Sequence, residues 1–208
     1  MGSKERRQRE RDDVRAKIIN AARDLFVAEG VESVSMRKIA DAVEYSPTVI
    51  YQYFADKDAL LHEICTEDFA SLADTFRELA KIEDPLERIL QIGLTYGKFG
   101  LAFPNHYRLM FMTPYRGARN DEMDECGKGN PDEDAYSFLR LTVAQAIEAG
   151  KFRGGLDDPD LLSQVLWSAV HGLVSLQITK AKDPWLQWAP FEKRMQVMLD
   201  SLFSGMLR

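Results

Sequence analysis

The chain contains 208 residues with a net charge of −6, and 45% of the residues are hydrophobic while 29% are charged. This composition is typical of a globular protein large enough for one helical domain, or for a small domain fused to a larger one. The net charge taken alone argues against a nucleic-acid-binding protein. The charges are unevenly distributed, however, because residues 1–57 contain 11 Lys and Arg against 10 Asp and Glu, and the remaining residues contain 16 against 23. A nucleic-acid-binding N-terminal region therefore stays open.

The two cysteines, Cys65 and Cys126, are far apart and fit neither a metal site nor a disulfide framework, which indicates a reducing compartment. No apolar run approaches the roughly 18 residues of a membrane span, and the charged N-terminus is unlike a signal peptide. We therefore expect a cytoplasmic protein that does not contact a membrane. His62, His106 and His171 share no metal-ligand spacing, and we expect neither a metal nor a cofactor.

The N-terminal segment 4–11 carries five basic side chains against two acidic ones. Such a segment is too charged to pack, so residues 1–11 are predicted to form a flexible basic arm. The arm is either a solvated tail or a segment that contacts DNA phosphates or the minor groove. The first helix is predicted to begin at residue 12 or 13 and to end at Gly30.

Two short helical patterns follow within residues 35–57, with about three residues between them. Ser35 is suited to cap the first, and Ser46 the second, with Pro47 at the first helical position, where a missing N–H costs nothing. The outward positions of the second helix are Thr48, Tyr51 and Gln52. By itself this pattern favours an ordinary αα-hairpin, but a polar outward face suits phosphates and base edges. Together with the basic N-terminus, the pattern predicts a helix-turn-helix.

Six further helical patterns occupy the rest of the chain, and no strand pattern or internal repeat is present. Their predicted starts are Asp56, Asp84-Pro85, Pro104, Pro131, Asp158-Pro159 and Pro190. Residues 113–130 are rich in glycine and acidic side chains and are predicted to be a long loop. The expected fold is all-α with about nine helices.

The helix predicted from Pro159 is apolar nearly all round between Val165 and Ile178. A helix of this kind is buried on more than one side, and the last helix is also rich in apolar residues. These two helices either form an internal core or leave a surface that a two-fold homodimer covers. We favour the homodimer, since a two-fold pair of helix-turn-helix units reads two half-sites.

The segments Ile39–Ala42, Ser46–Phe54 and Lys57–Leu61 together resemble the signature of TetR-type repressors over about 50 residues. The segment Trp167–Leu173 resembles the Trp-His-Gly segment of one group of C-terminal domains in that family. The resemblance implies a dimeric, all-α, ligand-responsive transcription factor, usually a repressor, that binds palindromic double-stranded operator DNA. It also implies a DNA-binding domain over 12–56 and a ligand-binding and dimerisation domain over 57–208.

The resemblance assigns DNA-contacting positions to the helix-turn-helix. These positions are Ser35, Arg37, Ser46, Pro47, Thr48, Val49, Tyr51, Gln52, Tyr53 and Lys57. Among them, the positions at the start of the third helix read bases, whereas the two tyrosines and the lysine contact phosphates. The family usually has glycine in the turn where this chain has Glu44. A left-handed conformation costs glutamate on the order of 1 kcal/mol, so either the turn differs or the strain is absorbed.

Aromatic and methionine side chains of the C-terminal region are candidates for the walls of a pocket for a small, largely apolar ligand. These candidates are Tyr96, Phe99, Phe103, Tyr107, Met110, Phe111, Trp167 and His171. Each of them is also suited to an ordinary core. The sequence lacks a nucleophile elbow, a zinc-protease motif and a dinucleotide fingerprint, which excludes the common enzyme classes. The alternative function is a DNA-binding dimer that has no small-molecule effector or acts through a protein partner.

Overall fold

The computed structural model describes residues 3–113 and 129–208, and these residues form nine α-helices, two short 3-10 turns and no β-strand. The helices are α1 (Ser3–Glu29), α2 (Met36–Ala42), α3 (Pro47–Tyr51), α4 (Lys57–Arg77), α5 (Pro85–Ala102), α6 (Pro104–Met112), α7 (Ala135–Glu148), α8 (Pro159–Lys180) and α9 (Phe191–Met206). The predicted all-α fold of about nine helices is therefore confirmed. Most of the loop predicted over 113–130, including Cys126, lies outside the described residues.

Aspartate side chains begin several of these helices by accepting hydrogen bonds from first-turn N–H groups. Asp84 accepts from Leu86, and Asp158 accepts from the two N–H groups that follow Pro159. The predicted starts of α5 and α8 are thus confirmed. The predicted start at Pro131 is wrong, because Asp134 is the residue that caps α7 and the helix begins after it.

The N-terminal segment differs from its prediction. Residues 4–11 are helical and belong to α1, which begins at Ser3 and not at residue 12 or 13. Side-chain pairs four residues apart support this exposed part of the helix: Arg6 Nε lies 3.4 Å from Glu10 Oε1, and Gln8 Nε2 donates to Asp12 Oδ1 at 2.9 Å. These pairs therefore support a solvated helix without a core, and the helical spacing sets where each basic residue lies around the helix axis.

The described residues divide into two compact units. The first contains residues 3–68 and 105–113, and the second contains residues 69–104 and 129–208. The division differs from a boundary at residue 57, because α4 begins at Lys57 and its first turns, as far as Asp68, belong to the first unit. The functional division into 12–56 and 57–208 stays a prediction.

The first unit has one apolar core to which five helices contribute. Side chains of α1, α2, α4 and α6 share this core with Ile50 of α3, and the turn after α3 adds the ring of Phe54. The fully or nearly fully buried members include Ile18, Ala22, Phe26, Ile39, Ile50, Phe54, Leu60, Ile64 and Leu109. This core fixes the position of the helix-turn-helix.

The second unit is a bundle in which α8 packs against α5, α7 and α9. Helices α5 and α9 approach closely at Gly97, where a Cβ would lie 2.8 Å from Met195 Cε, so that the end of the methionine side chain would have to shift. Helix α8 is long and apolar enough to cross a membrane by length and composition, contrary to the expectation from the sequence. Core helices of soluble proteins meet the same criterion, and α8 buries Leu162, Leu166 and Val174 within the unit.

Candidate nucleic-acid interface

The two short helices α2 and α3 begin as their sequences predict, with one difference in capping. Ser35 Oγ accepts a hydrogen bond from Lys38 N at 3.2 Å and caps α2. Pro47 occupies the first turn of α3, and Ser46 has the extended backbone of an N-cap residue, but its side chain makes no capping hydrogen bond. The predicted N-cap position of Ser46 is therefore confirmed, but the capping hydrogen bond expected from its side chain is absent.

The turn between the two helices keeps a left-handed residue although that residue is not glycine. Glu44 has φ 59°, and it is the one non-glycine residue with positive φ in the described part of the chain. The N–H of Tyr45 donates to Ala40 O at 3.0 Å, which closes the end of α2 in the manner of a helix C-terminus followed by a left-handed residue. Ile39 and Ile50 on either side of the turn are fully buried, so both helices that the left-handed residue joins are anchored in the core.

The outward face of α3 is polar and exposed. Thr48 and Gln52 are exposed, and 55% of Tyr51 is accessible to solvent. The opposite face is anchored by Ile50 and Phe54, which are buried in the core of the first unit. Rigid anchoring on one side and hydroxyl and amide groups on the other are the arrangement that a base-reading helix needs.

The other predicted contact positions differ in their exposure. Ser35 and Arg37 are exposed at the start of α2, whereas Val49 and Tyr53 are half-buried. Lys57 is also half-buried, and its Nζ donates to Val31 O at 2.7 Å. This bond ties the start of α4 to the turn after α1, a structural role that sequence reasoning missed. An ammonium group has three donors, so the predicted phosphate contact of Lys57 remains compatible with this bond.

A buried ion pair connects α1 to α4 within the first unit. Arg23 is 5% exposed and Asp68 is 1% exposed, and Arg23 Nη2 donates to Asp68 Oδ1 at 2.7 Å while Nε donates to Oδ2 at 3.2 Å. His106 of α6 adds a third group, with Nδ1 at 2.8 Å from Asp68 Oδ1. Burial, with the nearby Asp68 carboxylate, also raises the pKa of the Cys65 thiol to about 11, so that the thiol is protonated at neutral pH. The contacts of Asp68 with Arg23 and His106 connect α4 to α1 and α6.

In the second unit, three of the predicted ligand-site residues form a polar cluster. Trp167 Nε1 donates to Tyr96 Oη at 3.1 Å, and the same oxygen lies 3.0 Å from His171 Nδ1. The ring of Tyr136 packs against Trp167 with the ring centroids 5.9 Å apart. Burial lowers the pKa of His171, so the imidazole is neutral at pH 7. The cluster therefore contains hydrogen-bonding groups without formal charge.

The remaining ligand-site candidates are divided between the two units. Phe99 is buried and its ring lies 5.4 Å from that of Phe103, which is 46% exposed, and both belong to the second unit. Tyr107, Met110 and Phe111 belong to the first unit, where the rings of Tyr107 and Phe111 lie 4.9 Å apart. Their role in ligand binding stays a prediction.

Two family models together match most of this chain. Residues 18–64 match the bacterial regulatory proteins of the tetR family, and residues 89–202 match the tetracyclin repressor-like C-terminal domain. The chain belongs to the TetR family. It is therefore a transcriptional regulator with a helix-turn-helix, of a family that typically binds DNA and represses transcription, and it is not an enzyme.

Individual TetR-family proteins are similar over most of the chain. The transcriptional regulator UidR of Escherichia coli K12 is 35% identical over 176 residues, which are 81% of this chain and 83% of UidR. The fatty acid degradation regulator FadR of Bacillus halodurans has the same fold, with a TM-score of 0.71 and 20% identity over 93% of this chain and 99% of its own. FadR of Bacillus subtilis, solved in complex with stearoyl-CoA, has a TM-score of 0.72 and 17% identity over 91% of this chain and 98% of its own.

Proposed function

We propose that this TetR-family chain is a cytoplasmic homodimeric repressor that binds a palindromic operator through α3 and leaves it when a small, largely apolar ligand binds. The observation that supports DNA reading most directly is the exposed polar face of α3. Thr48 lies on α3 and Gln52 caps its C-terminal end. Ile50 and, just after the helix, Phe54 anchor the opposite side in the core. Thr48 then contacts base edges, and Tyr51 donates its hydroxyl to a phosphate.

The surface of α8 supports the homodimer. Only 28% of the most apolar 18-residue segment of this helix is buried within the chain. Leu161, Val165 and Leu176 are exposed and recur at helical spacing, and Gly172 lies in the same stripe with no atom near the position of a Cβ. An apolar stripe with a small residue at its middle suits close packing against the same stripe of a second copy.

The cluster around Tyr96 supports a ligand with few polar groups. A neutral His171 and the hydroxyl of Tyr96 supply hydrogen bonds without charge, so they suit an uncharged polar group on an otherwise apolar molecule. The FadR protein of B. subtilis, which has the same fold, forms a complex with stearoyl-CoA. That complex supports the idea that this fold accommodates an effector with a long apolar part.

The connection between ligand and DNA is proposed to be α4. This helix begins at Lys57 beside the helix-turn-helix and continues into the second unit as far as Arg77. A ligand releases the operator only if it binds more tightly to the conformation in which the two α3 helices no longer fit successive major grooves.

The test is a DNA-binding measurement on the full chain. Duplexes are selected from the DNA upstream of its own gene and from a random library, and binding is followed by fluorescence anisotropy. Thr48→Ala should change the preferred sequence, whereas Tyr51→Phe should weaken binding to all duplexes by a similar factor. Thr66→Ala, an exposed threonine on α4, is the matched control and should bind like the parent. Absence of sequence-selective binding by the parent would refute the proposed function.

A further inference from the structure

A groove lies in the first unit between the N-terminal half of α1 and the end of α3. It has a volume of about 460 Å³. Its walls are Arg7, Glu10, Arg11, Val14, Gln52 and Tyr53. The groove therefore combines two guanidinium groups of the segment predicted to be an arm with two side chains of the DNA-reading region.

The helical conformation of residues 4–11 determines which cations line this groove. Side chains four residues apart share one face of a helix, so Arg7 and Arg11 continue the face that carries Val14 and Ile18 into the core. Arg9 points about 200° away from Arg7 around the helix, since each residue adds about 100°. The groove thus receives two of the five basic side chains of the segment because of the helix and not because of composition.

The charge in the groove is positive. The Arg11 guanidinium lies 5.8 Å from the centroid of the Tyr53 ring, a cation–π contact that orients it. Glu10, which also lines the groove, lies 3.4 Å from the guanidinium group of Arg6, which does not line it. Within residues 3–113 and 129–208, no ion pair joins Arg7 or Arg11 to a carboxylate.

We propose that this groove binds a phosphate of the DNA backbone and that the first half of α1 is a rigid part of the DNA-binding surface. The inference rests on the proposed function and adds a phosphate site to it. Two guanidinium groups on one helix face provide paired N–H donors for a phosphate, and Tyr53 adds a hydroxyl. Because Gln52 belongs to both the groove and the exposed face of α3, the bound phosphate is one that flanks the bases α3 reads.

The first experiment measures binding of the full chain to the selected operator duplex and to a mixed-sequence duplex over a series of KCl concentrations. Arg7→Gln and Arg11→Gln should each weaken binding to both duplexes by roughly three- to tenfold. Each should also reduce the magnitude of the slope of log affinity against log salt concentration, by about 0.9 for every subunit bound to the DNA. Arg9→Gln removes the same charge from the opposite side of the helix and should leave that slope unchanged. Equal effects of Arg7→Gln and Arg9→Gln on affinity and slope would refute phosphate binding in the groove.

The second experiment separates a fixed groove from a charged arm. The double variant Arg7→Gln/Gln8→Arg keeps the net charge of the segment but moves one cation about 100° around the helix. It should bind like Arg7→Gln, and Glu10→Gln, which removes the acid from the groove wall, should bind more tightly than the parent. If the double variant binds DNA like the parent, the position of the cation around α1 does not affect binding and the proposal is wrong. In that case operator binding by the parent still supports the proposed function, whereas a parent that binds no duplex refutes both.

Discussion

The two compact units differ in the charge of the polar groups that they bury. The first unit contains an ion pair between Arg23 and Asp68, which is formed by residues 45 positions apart on different helices. In the described part of the second unit the buried polar groups are uncharged hydroxyls. Thr142 donates to Phe138 O at 2.9 Å and Ser163 donates to Pro159 O at 2.6 Å, each within its own helix, whereas Tyr96 Oη accepts from Trp167 Nε1 of another helix at 3.1 Å. Among these buried groups, those of the first unit alone bring two opposite charges together inside a core.

The exposed surfaces of the two units differ in polarity. The first unit exposes hydroxyl, amide and guanidinium groups along α3 and the start of α1, while the second exposes the apolar stripe of α8. A buried ion pair is poor evidence for stability but is able to specify one arrangement of the helices that share it. The buried ion pair thus holds together helices of the unit that carries the polar surface, whereas the apolar stripe of α8 is the surface that the proposed homodimer would cover.

The largest expected effect comes from breaking the buried ion pair. Asp68→Asn leaves the Arg23 guanidinium buried without a carboxylate, which should lower the free energy of unfolding by about 3–5 kcal/mol. Urea unfolding followed by circular dichroism measures the change. Asp74→Asn on the same helix is the control, because its pair with Arg77 is exposed and should contribute less than about 1 kcal/mol. A similar small loss for both variants would show that the fold of the first unit does not depend on the buried ion pair.

The next effect concerns the apolar stripe of the second unit. Leu176→Asp places a carboxylate on the exposed face of α8, and we expect the affinity of the two copies for each other to fall by at least about tenfold. Sedimentation velocity at several protein concentrations measures the association. Leu141→Asp on α7 is the control, since Leu141 is exposed to a similar degree, 40% against 46%, but lies outside the stripe. Dissociation caused equally by both variants would show that α8 is not the contact surface.

A smaller effect is expected in the polar cluster of the second unit. Tyr96→Phe removes the oxygen that accepts from Trp167 Nε1, so the variant should lose about 1–2 kcal/mol of unfolding free energy. Tyr136→Phe is the control, because its ring packs against Trp167 without a hydrogen bond to the cluster. Calorimetric melting of both variants decides whether the hydroxyl of Tyr96 matters for more than packing.

His171 gives the same cluster a pH dependence. Burial lowers its pKa in the folded chain below the ordinary value of 6.5, so the unfolded chain binds the proton first as the pH falls. The free energy of unfolding should therefore decrease as the pH drops below about 6.5. His171→Asn should lose less stability than the parent between neutral and mildly acidic pH in urea titrations. Identical pH profiles for the two proteins would contradict the burial effect.

The smallest effect is local to the helix-turn-helix. Glu44→Gly removes the cost of a left-handed conformation in a residue with a side chain, and should raise the free energy of unfolding by up to about 1 kcal/mol. Glu44→Ala keeps the backbone strain and is the control for loss of the carboxylate. The two variants should differ in stability by urea unfolding, while both bind mixed-sequence DNA somewhat more tightly than the parent.

Local patterns predicted the fold well because the signals for helices act over a few residues. Asp158-Pro159, Ser35 and Gly30 begin or end helices where their sequences indicate. The error at residues 4–11 came from treating charge as a sign of disorder, although pairs such as Arg6 and Glu10 four residues apart support a helix. The exposed face of α3 was also predictable, because it follows from helical spacing alone.

The sequence by itself determined the all-α fold, the number of helices among the described residues and most of their ends, since capping and helical spacing depend on neighbours within about one or two turns. Tertiary structure alone decided the partners of the polar groups. Lys57 meets a carbonyl 26 residues away, Arg23 meets a carboxylate 45 residues away, and Tyr96 meets a ring nitrogen 75 residues away. No spacing rule encodes such contacts, because they depend on which helix faces are packed together and on how closely. The same packing brings Arg7 and Arg11 beside Tyr53 and places α6 in one unit with the helix-turn-helix.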